Sequence, residues 1–326
     1  MYYQALLVSE IDGQYFPSVQ ELDTSNLPSN EILVQVKYSS LNYKDALSVI
    51  GNKGVTKKYP HTPGIDAAGV IVESASPEFK KGDEVIVTGY DLGMNTPGGF
   101  GQYIRVPAEW VIPLPEGLSL KESMIIGTAG FTAGISLIRL MELVQPEDGD
   151  IIVSGATGGV GSMALAMLAK KGYQTIAVSG KKEAHDFLKK WGADQIIDRN
   201  EFMSAEDKAL FPGTYAGAID TVGGDFLARI IKSLKPNGAV TTCGSVASTK
   251  LELNVFPFIL RAVSLIGISA QNYPTALRKE LWKRLATDLK PDKLLDMYQE
   301  IGLQDLPDAV QSILQGKISG RTLIKL

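Results

Sequence analysis

Ser154-Gly155-Ala156-Thr157-Gly158-Gly159-Val160-Gly161 stands between two apolar runs, Ile151 to Val153 before it and one opening at Val160 after it. Glycines at such a junction let the chain turn sharply and bring backbone N–H groups against a ligand. Those groups then sit at the positive end of the following helix, which suits a pyrophosphate. Ala156 takes the place of the first glycine of G-x-G-x-x-G, so the spacing kept is Ala-x-Gly-x-x-Gly. The surroundings give the motif its weight. From Asp150 onward the pattern predicts strands at 151–154, 175–178, 195–197, 216–222, 239–242 and 265–269, with helices at 160–171, 182–191 and 226–234 between them. Near-continuous apolar strands alternating with helices indicate a parallel, doubly wound sheet.

Upstream the pattern is different. Ile32, Val34, Val36 and Tyr38 alternate with Leu33, Gln35, Lys37 and Ser39, the period of a strand with two distinct faces. Further short strands are predicted at 4–9, 67–73, 83–88, 102–106 and 110–114, separated by Asp12-Gly13, Lys81-Gly82-Asp83 and Pro97-Gly98-Gly99. Short strands at this spacing suggest a barrel. Near Ser119 the pattern changes again: Ser119 and Glu122 have capping-box spacing, and a helical composition runs to Leu143. A domain boundary is expected there. Beyond Pro274 follow a basic helix, another over 306–314, and a terminal strand at 322–326 that returns to the barrel.

The 326 residues suffice for two domains at roughly 150 residues each. A content of 44% apolar and 21% charged residues supports a buried core and excludes disorder as the main state. A net charge of −4 offers no basic field to a nucleic acid. The single cysteine, Cys243, excludes an internal disulfide and any multi-cysteine zinc cluster, and is compatible with the cytoplasm. No basic stretch precedes the apolar residues of 1–13, so no signal peptide is expected. The uncharged run 151–169 has the length of a membrane span but is broken by serine, threonine and glycine, so it reads as a strand and a helix and no membrane is expected.

An NAD site should show a carboxylate about 20 residues after the glycine turn, to hold the adenosine ribose. Here the second strand ends in Ser179-Gly180-Lys181-Lys182, and the first carboxylate is Glu183. A hydroxyl and two ammonium groups suit a 2′-phosphate dianion, which points to NADP(H). Arg199, after the third strand, adds a cation on the same side.

The stretches Leu41-Asn42-Tyr43-Lys44-Asp45-Ala46, Pro63-Gly64-Ile65-Asp66, Ile126-Gly127-Thr128-Ala129-Gly130-Phe131-Thr132-Ala133, Gly155 to Gly161, Ala218-Ile219-Asp220-Thr221-Val222-Gly223 and Gly320-Arg321-Thr322 extend this over nearly the whole chain. Together they resemble the zinc-independent quinone oxidoreductase branch of the medium-chain dehydrogenase/reductase superfamily. Within that branch the resemblance is to the bacterial YhdH/YhfP group, which includes acrylyl-CoA reductase. It implies an α/β protein with a GroES-like β-barrel catalytic domain (1–122 and 290–326), a Rossmann NADP-binding domain (123–289), NADPH as cofactor and a homodimer. It also implies Tyr43 at the nicotinamide end, Thr157, Gly158, Gly159 and Val160 at the pyrophosphate, and Ser179, Gly180, Lys181 and Arg199 at the 2′-phosphate. Ser245, Ile259, Ala270 and Gly316 would lie along the cofactor wall. A relative has arginine where Lys181 stands, so charge is kept, the bidentate fork is lost, and a weaker preference for NADPH is implied.

A zinc alcohol dehydrogenase joins a similar barrel to a similar sheet but needs thiolate and imidazole ligands. Asn42 and Ile65 stand where a ligand cysteine and a ligand histidine would, so no catalytic zinc is expected. Without metal, the protein has to position an electron-poor acceptor beside NADPH and stabilise the anion formed. A quinone fits, as does an alkene conjugated to a carbonyl, such as an acrylyl thioester. Tyr43 and Asn42 are the candidates for orienting the acceptor or donating a proton, followed by Asp66. Tyr43 alternatively only packs on the cofactor ring, and Asp66 only holds the barrel loop. His61 reads as a loop residue with access to the cleft. Lys53, Lys57 and Lys58 form a cluster able to attract CoA phosphates, or simply a solvated face. The alternatives are a metal-dependent alcohol dehydrogenase and a non-catalytic NADPH-binding structural or regulatory protein.

Overall fold

The computed structural model describes residues 1–326 and divides into two compact units. The first comprises Met1–Thr128, Gln271–Thr287 and Lys293–Leu326, and the second Ala129–Ala270 and Asp288–Asp292.

The first unit opens with a hairpin, β1 (Tyr2–Ile11) and β2 (Gln14–Asp23), paired over ten residues and turned at Asp12-Gly13 with φ of 51° and 75°. The second of these strands is absent from the sequence reading: half exposed, polar at alternate positions and carrying Pro17, it looks like loop until its partner is known. The main sheet is built on β3 (Ile32–Ser40), with α1 (Tyr43–Val49), β4 (Asp66–Ser74), β5 (Glu84–Thr88), β6 (Tyr103–Val106) and β7 (Val111–Pro113) following in the chain. One side of β3 carries β4; β6 and then the terminal strand share the other. Val34, Val36, Ile71, Val85, Val87 and Ile104 fill the interior.

The second unit contains β8 (Ile151–Val153), α3 (Gly159–Lys170), β9 (Thr175–Ser179), α4 (His185–Lys190), β10 (Gln195–Asp198), α5 (Arg199–Met203), β11 (Tyr215–Asp220), α6 (Gly224–Lys232), β12 (Leu234–Thr242), α7 (Phe256–Arg261) and β13 (Ser264–Gly267). All six strands are parallel, in the order β10-β9-β8-β11-β12-β13. The strand order reverses between β8 and β11, and in such sheets ligands bind outside the carboxyl ends of the strands at this switch point. Pro236-Asn237-Gly238, read in the sequence as a stop between helix and strand, lies inside β12. There the register shifts and Asn237 takes φ 63°.

Four helices and strands complete the first unit: α8 (Thr275–Leu285), β14 (Tyr298–Ile301), α9 (Leu306–Leu314) and β15 (Arg321–Lys325). β15 pairs with β3 through Leu323 and Ser40, the return expected from the sequence. The sequence-based division at 289 assigns α8 to the parallel sheet, whereas its contacts assign it to the first unit. Arg278 donates to the carbonyl of Thr88 at 2.9 Å, and Trp282 is fully buried.

Helix α2 (Leu120–Met141) begins at the expected capping box, Ser119 N donating to Glu122 Oε2 at 2.9 Å and Glu122 N to Ser119 Oγ at 3.2 Å. By length and composition it is apolar enough to cross a membrane, but 78% of its apolar window is buried inside the protein. It is broken at Gly127, which has φ 50° and ψ −162°. A Cβ there would stand 2.6 Å from Ser40 Oγ and 2.7 Å from both Arg321 Nη2 and Asp66 Oδ2. Gly127→Ala is therefore expected to cost about 3 kcal/mol or more, from backbone strain and steric overlap together. Gly172→Ala, at φ 81° with nothing within 4 Å, should cost only about 1 kcal/mol. Urea midpoints compare them; equal losses would refute the crowding argument.

Candidate cofactor and active site

In the second unit the glycine turn follows β8. Gly155 has φ 60°, and a Cβ on Gly161 would lie 2.3 Å from the Gly155 carbonyl oxygen, so α3 starts directly against the turn. No side chain caps α3 at Gly158, which leaves its first amides directed at whatever occupies the turn. Thr157, Gly158, Gly159 and Val160 form one half-exposed cradle suited to a pyrophosphate, in which the Gly158 amide donates to the Gly155 carbonyl at 2.9 Å and closes the turn.

Ser179, Gly180 and Lys181 end the neighbouring strand. Ser179 Oγ accepts from the Lys181 amide at 3.0 Å. Arg199 begins α5 just after β10, and its guanidinium lies over Gly180: a Cβ on that glycine would be 3.3 Å from Arg199 Nε. The ammonium of Lys181 is held below its ordinary pKa by burial; Glu183 opposes this shift, and the Arg199 cation adds to it. Two cations brought together around a glycine, with a serine where the ribose-binding carboxylate of an NAD site would stand, suit a dianion. The residues present thus fit the 2′-phosphate of NADP(H).

The switch point is tied together by Asp220, fully buried at the end of β11. Its Oδ1 accepts from Ser154 Oγ at 2.6 Å and the Val222 amide at 3.2 Å; its Oδ2 accepts from the Gly223 amide and Thr242 Oγ1, both at 3.0 Å. Thr221 Oγ1 donates to the Ser154 carbonyl at 3.0 Å. The sequence reading noted this motif without giving it a role. Its signal is an aspartate ending an otherwise apolar strand. Cys243 lies behind it, its thiol pushed up to about 12 by burial, which leaves no thiolate nucleophile here. Ser245 is exposed beyond β12, Ala270 is half-buried beyond β13, and Ile259 is 67% exposed on α7.

In the first unit the centre is Asp66, with no exposed surface. Its Oδ2 accepts from Ser40 Oγ at 2.7 Å, Asn42 Nδ2 at 2.8 Å and the Thr128 amide at 2.9 Å, and its Oδ1 accepts from Thr128 Oγ1 at 2.6 Å. Asn42 is the N-cap of α1 and forms a capping box with Asp45, whose Oδ2 accepts from the Asn42 amide at 2.8 Å. This box explains a seven-residue helix too short to show a period in the sequence. Asp45 Oδ1 also accepts from the Ile65 amide at 2.8 Å. Tyr43, the first residue of α1, is 38% exposed, so of the three expected catalytic residues it alone presents substantial surface. Lys44 donates to Gln271 Oε1 at 2.8 Å.

Two expectations, on His61 and on Lys53, change. His61 is buried at 6% exposure, its imidazole held below the usual range by burial, so it has no open access. All three lysines of the cluster are exposed, but Lys53 is committed to Glu10 at 2.8 Å and to the face of Tyr59. Gly316 is exposed after α9 in the first unit.

Residues 159–287 match a family model described as zinc-binding dehydrogenase, and residues 28–116 one described as alcohol dehydrogenase GroES-like domain. The chain is 42% identical over 326 residues to YhfP of Bacillus subtilis, a protein named provisionally as a quinone oxidoreductase, with 99% of each covered. It is 40% identical over 325 residues to acrylyl-CoA reductase AcuI of Ruegeria pomeroyi, covering 99% of this chain and 98% of that one. The YhdH oxidoreductase of Salmonella enterica, solved with NADP, superposes with a TM-score of 0.96 at 43% identity over 99% of both chains. YhfP, solved with NAD, gives 0.96 at 42% identity and full coverage of both. The fold and these matches define a medium-chain dehydrogenase/reductase. Within that superfamily the chain belongs to the group of YhdH, YhfP and AcuI, the acrylyl-CoA reductase-like quinone oxidoreductases.

Burial, and then the nearby charge of Asp66, push the Asp45 carboxyl up to about 7 against hydrogen bonds from Asn42 and Ile65. The folded state therefore holds this proton more tightly than the unfolded chain, whose carboxyl titrates at the ordinary value of 3.8. The contribution of Asp45 to stability is greatest below pH 3.8 and falls as pH rises towards 7. Urea unfolding of the wild type relative to Asp45→Asn should show a stability difference that shifts against the wild type across this window. A pH-independent difference would contradict the shift.

Proposed function

We propose that the protein is an NADPH-dependent, zinc-independent oxidoreductase that reduces an activated alkene conjugated to a carbonyl, acrylyl-CoA included, or a quinone. The observation that carries this reading is the cation pair Lys181 and Arg199 at Gly180, in a chain similar over its full length to acrylyl-CoA reductase AcuI. NADPH supplies a hydride, which for an enoyl thioester goes to the β carbon while the electron pair moves to the carbonyl oxygen and a proton ends on the α carbon. Thr157 to Val160 hold the pyrophosphate through backbone N–H groups. Ser179, Gly180, Lys181 and Arg199 receive the 2′-phosphate, and Ser245, Ile259, Ala270 and Gly316 line the cofactor.

Tyr43 is the residue we assign to contact with the acceptor, its hydroxyl donating towards the developing oxyanion. Asn42 and Asp66, committed to one another at 2.8 Å, act by positioning. Asn42 and Ile65 occupy the zinc-ligand positions of the alcohol dehydrogenases, so turnover should survive exhaustive treatment with a chelator. NADPH oxidation measured with acrylyl-CoA, crotonyl-CoA and 1,4-benzoquinone tests the reading: at least one is turned over, and Tyr43→Phe lowers kcat at least tenfold or so while cofactor binding persists. Binding without turnover on all three would favour the non-catalytic alternative. Full activity of Tyr43→Phe would remove its hydroxyl from the mechanism.

The homodimer is supported by β13, an edge strand whose Leu265 is 37% exposed, beside Phe256 (43%) and Leu260 (64%) around α7. An unpaired edge next to apolar surface suits the same edge of a second copy. Light scattering should give twice the chain mass, and Leu260→Glu with Leu265→Lys should halve it; a monomeric wild type would overturn this assignment. The single cysteine, half-buried and free, and the dependence on NADPH support the cytoplasm as its compartment.

A further inference from the structure

Arg321, the first residue of β15, is 3% exposed and lies among the residues that carry Tyr43, yet no role has been given to it. An arginine kept only to balance charge would be expected to set its fork on a carboxylate. This one does otherwise. Its Nε donates to the carbonyl of Ile125 at 2.9 Å, and its Nη1 to the carbonyl of Leu41 at 3.3 Å and to Asn42 Oδ1 at 3.4 Å. Nη2 has no hydrogen-bond partner and faces Gly127, where a Cβ would come within 2.7 Å. Asp66 and Asp45 act on the guanidinium by charge alone, partly offsetting the cost of its burial.

The Asn42 amide is consequently held at both ends. Its oxygen faces a cation, and its nitrogen donates to the carboxylate of Asp66. The two partners also fix which end of the amide is which, since the guanidinium offers only donors and the carboxylate only acceptors. Asn42 caps α1, and Tyr43 is the first helical residue after it. The Asn42 backbone amide and its Nδ2 both donate to Asp45 Oδ2, at 2.8 and 3.3 Å, so a displaced Asn42 would loosen the cap and move the tyrosine with it.

We propose that Arg321 is a positioning residue: by gripping Asn42 and the Leu41 carbonyl opposite Asp66, it sets the orientation of the Tyr43 side chain. The consequence for catalysis rests on the reading that Tyr43 touches the acceptor; the orientation itself does not.

The test separates the two. In protein labelled with 3-fluorotyrosine, the resonance of Tyr43 is assigned by its loss in Tyr43→Phe and followed without cofactor in Arg321→Lys, Arg321→Met and Asn42→Ser. The last serves as the milder variant should the arginine replacements fail to fold. Arg321→Met and Asn42→Ser should each shift the Tyr43 signal and leave those of the remaining tyrosines in place. With acceptor, kcat should fall roughly 10- to 100-fold while KM for NADPH stays within about twofold. The double variant should be no worse than the worse single one, because both remove the same grip. Arg321→Lys, with the charge but without the fork, should restore little of the loss. An unmoved Tyr43 signal in the folded variants, or losses that add in the double variant, would overturn the proposal. A moved signal with unchanged kcat would support the grip and overturn the part assigned to Tyr43 in the reaction.

Discussion

A carboxylate taken out of water has to be met by donors or neutralised, and Asp66 meets this condition with four hydrogen bonds drawn from Ser40, Asn42 and Thr128. Those three residues come from the end of β3, the cap of α1 and the middle of α2. One buried charge thereby fixes where three segments far apart in sequence meet. Removing one neutral donor from such a carboxylate typically costs about 1.5–3 kcal/mol, since the charge stays behind. The crowding at Gly127 and the placement of Tyr43 at the start of α1 follow from this convergence, with Arg321 adding the terminal strand to it.

The parallel sheet solves a different problem with the same means. Its strands all deliver their carboxyl ends to one edge, and Asp220 binds β8, β11 and β12 there through Ser154, Gly223 and Thr242. What that edge offers a ligand comes mostly from backbone: the uncapped amides of α3 and the space left by glycines. Side-chain charge enters at one place, the end of β9, where Lys181 and Arg199 stand close enough for one cation to disfavour the other. Such an arrangement is costly unless an anion sits between the two.

The glycine turn, the alternation of strands and helices after Asp150 and the capping box at Ser119 were legible because each depends on residues close in sequence. The strand Gln14–Asp23 was not, because its stability comes from pairing with β1 and its own pattern is polar. The assignment of α8 to the first unit depends on Arg278 reaching Thr88, a contact 190 residues apart that no local spacing announces. Within the site, Asp66, Asn42 and Tyr43 were singled out together, but their division of labour was hidden. Burial separates the exposed tyrosine from the sealed carboxylate, and burial is a property of the whole fold. Arg321 and Asp45 carry no local signal of their roles, since what defines them is the neighbours they meet.

Reception of a 2′-phosphate by Lys181 and Arg199 is tested most directly by calorimetry of NADPH and NADH binding to the wild type and to Arg199→Ala. The wild type should hold NADPH about 10- to 100-fold more tightly than NADH, and the variant should lose most of that preference while its affinity for NADH hardly changes. A wild type that binds NADH as tightly as NADPH, or a variant that keeps the preference intact, would contradict it.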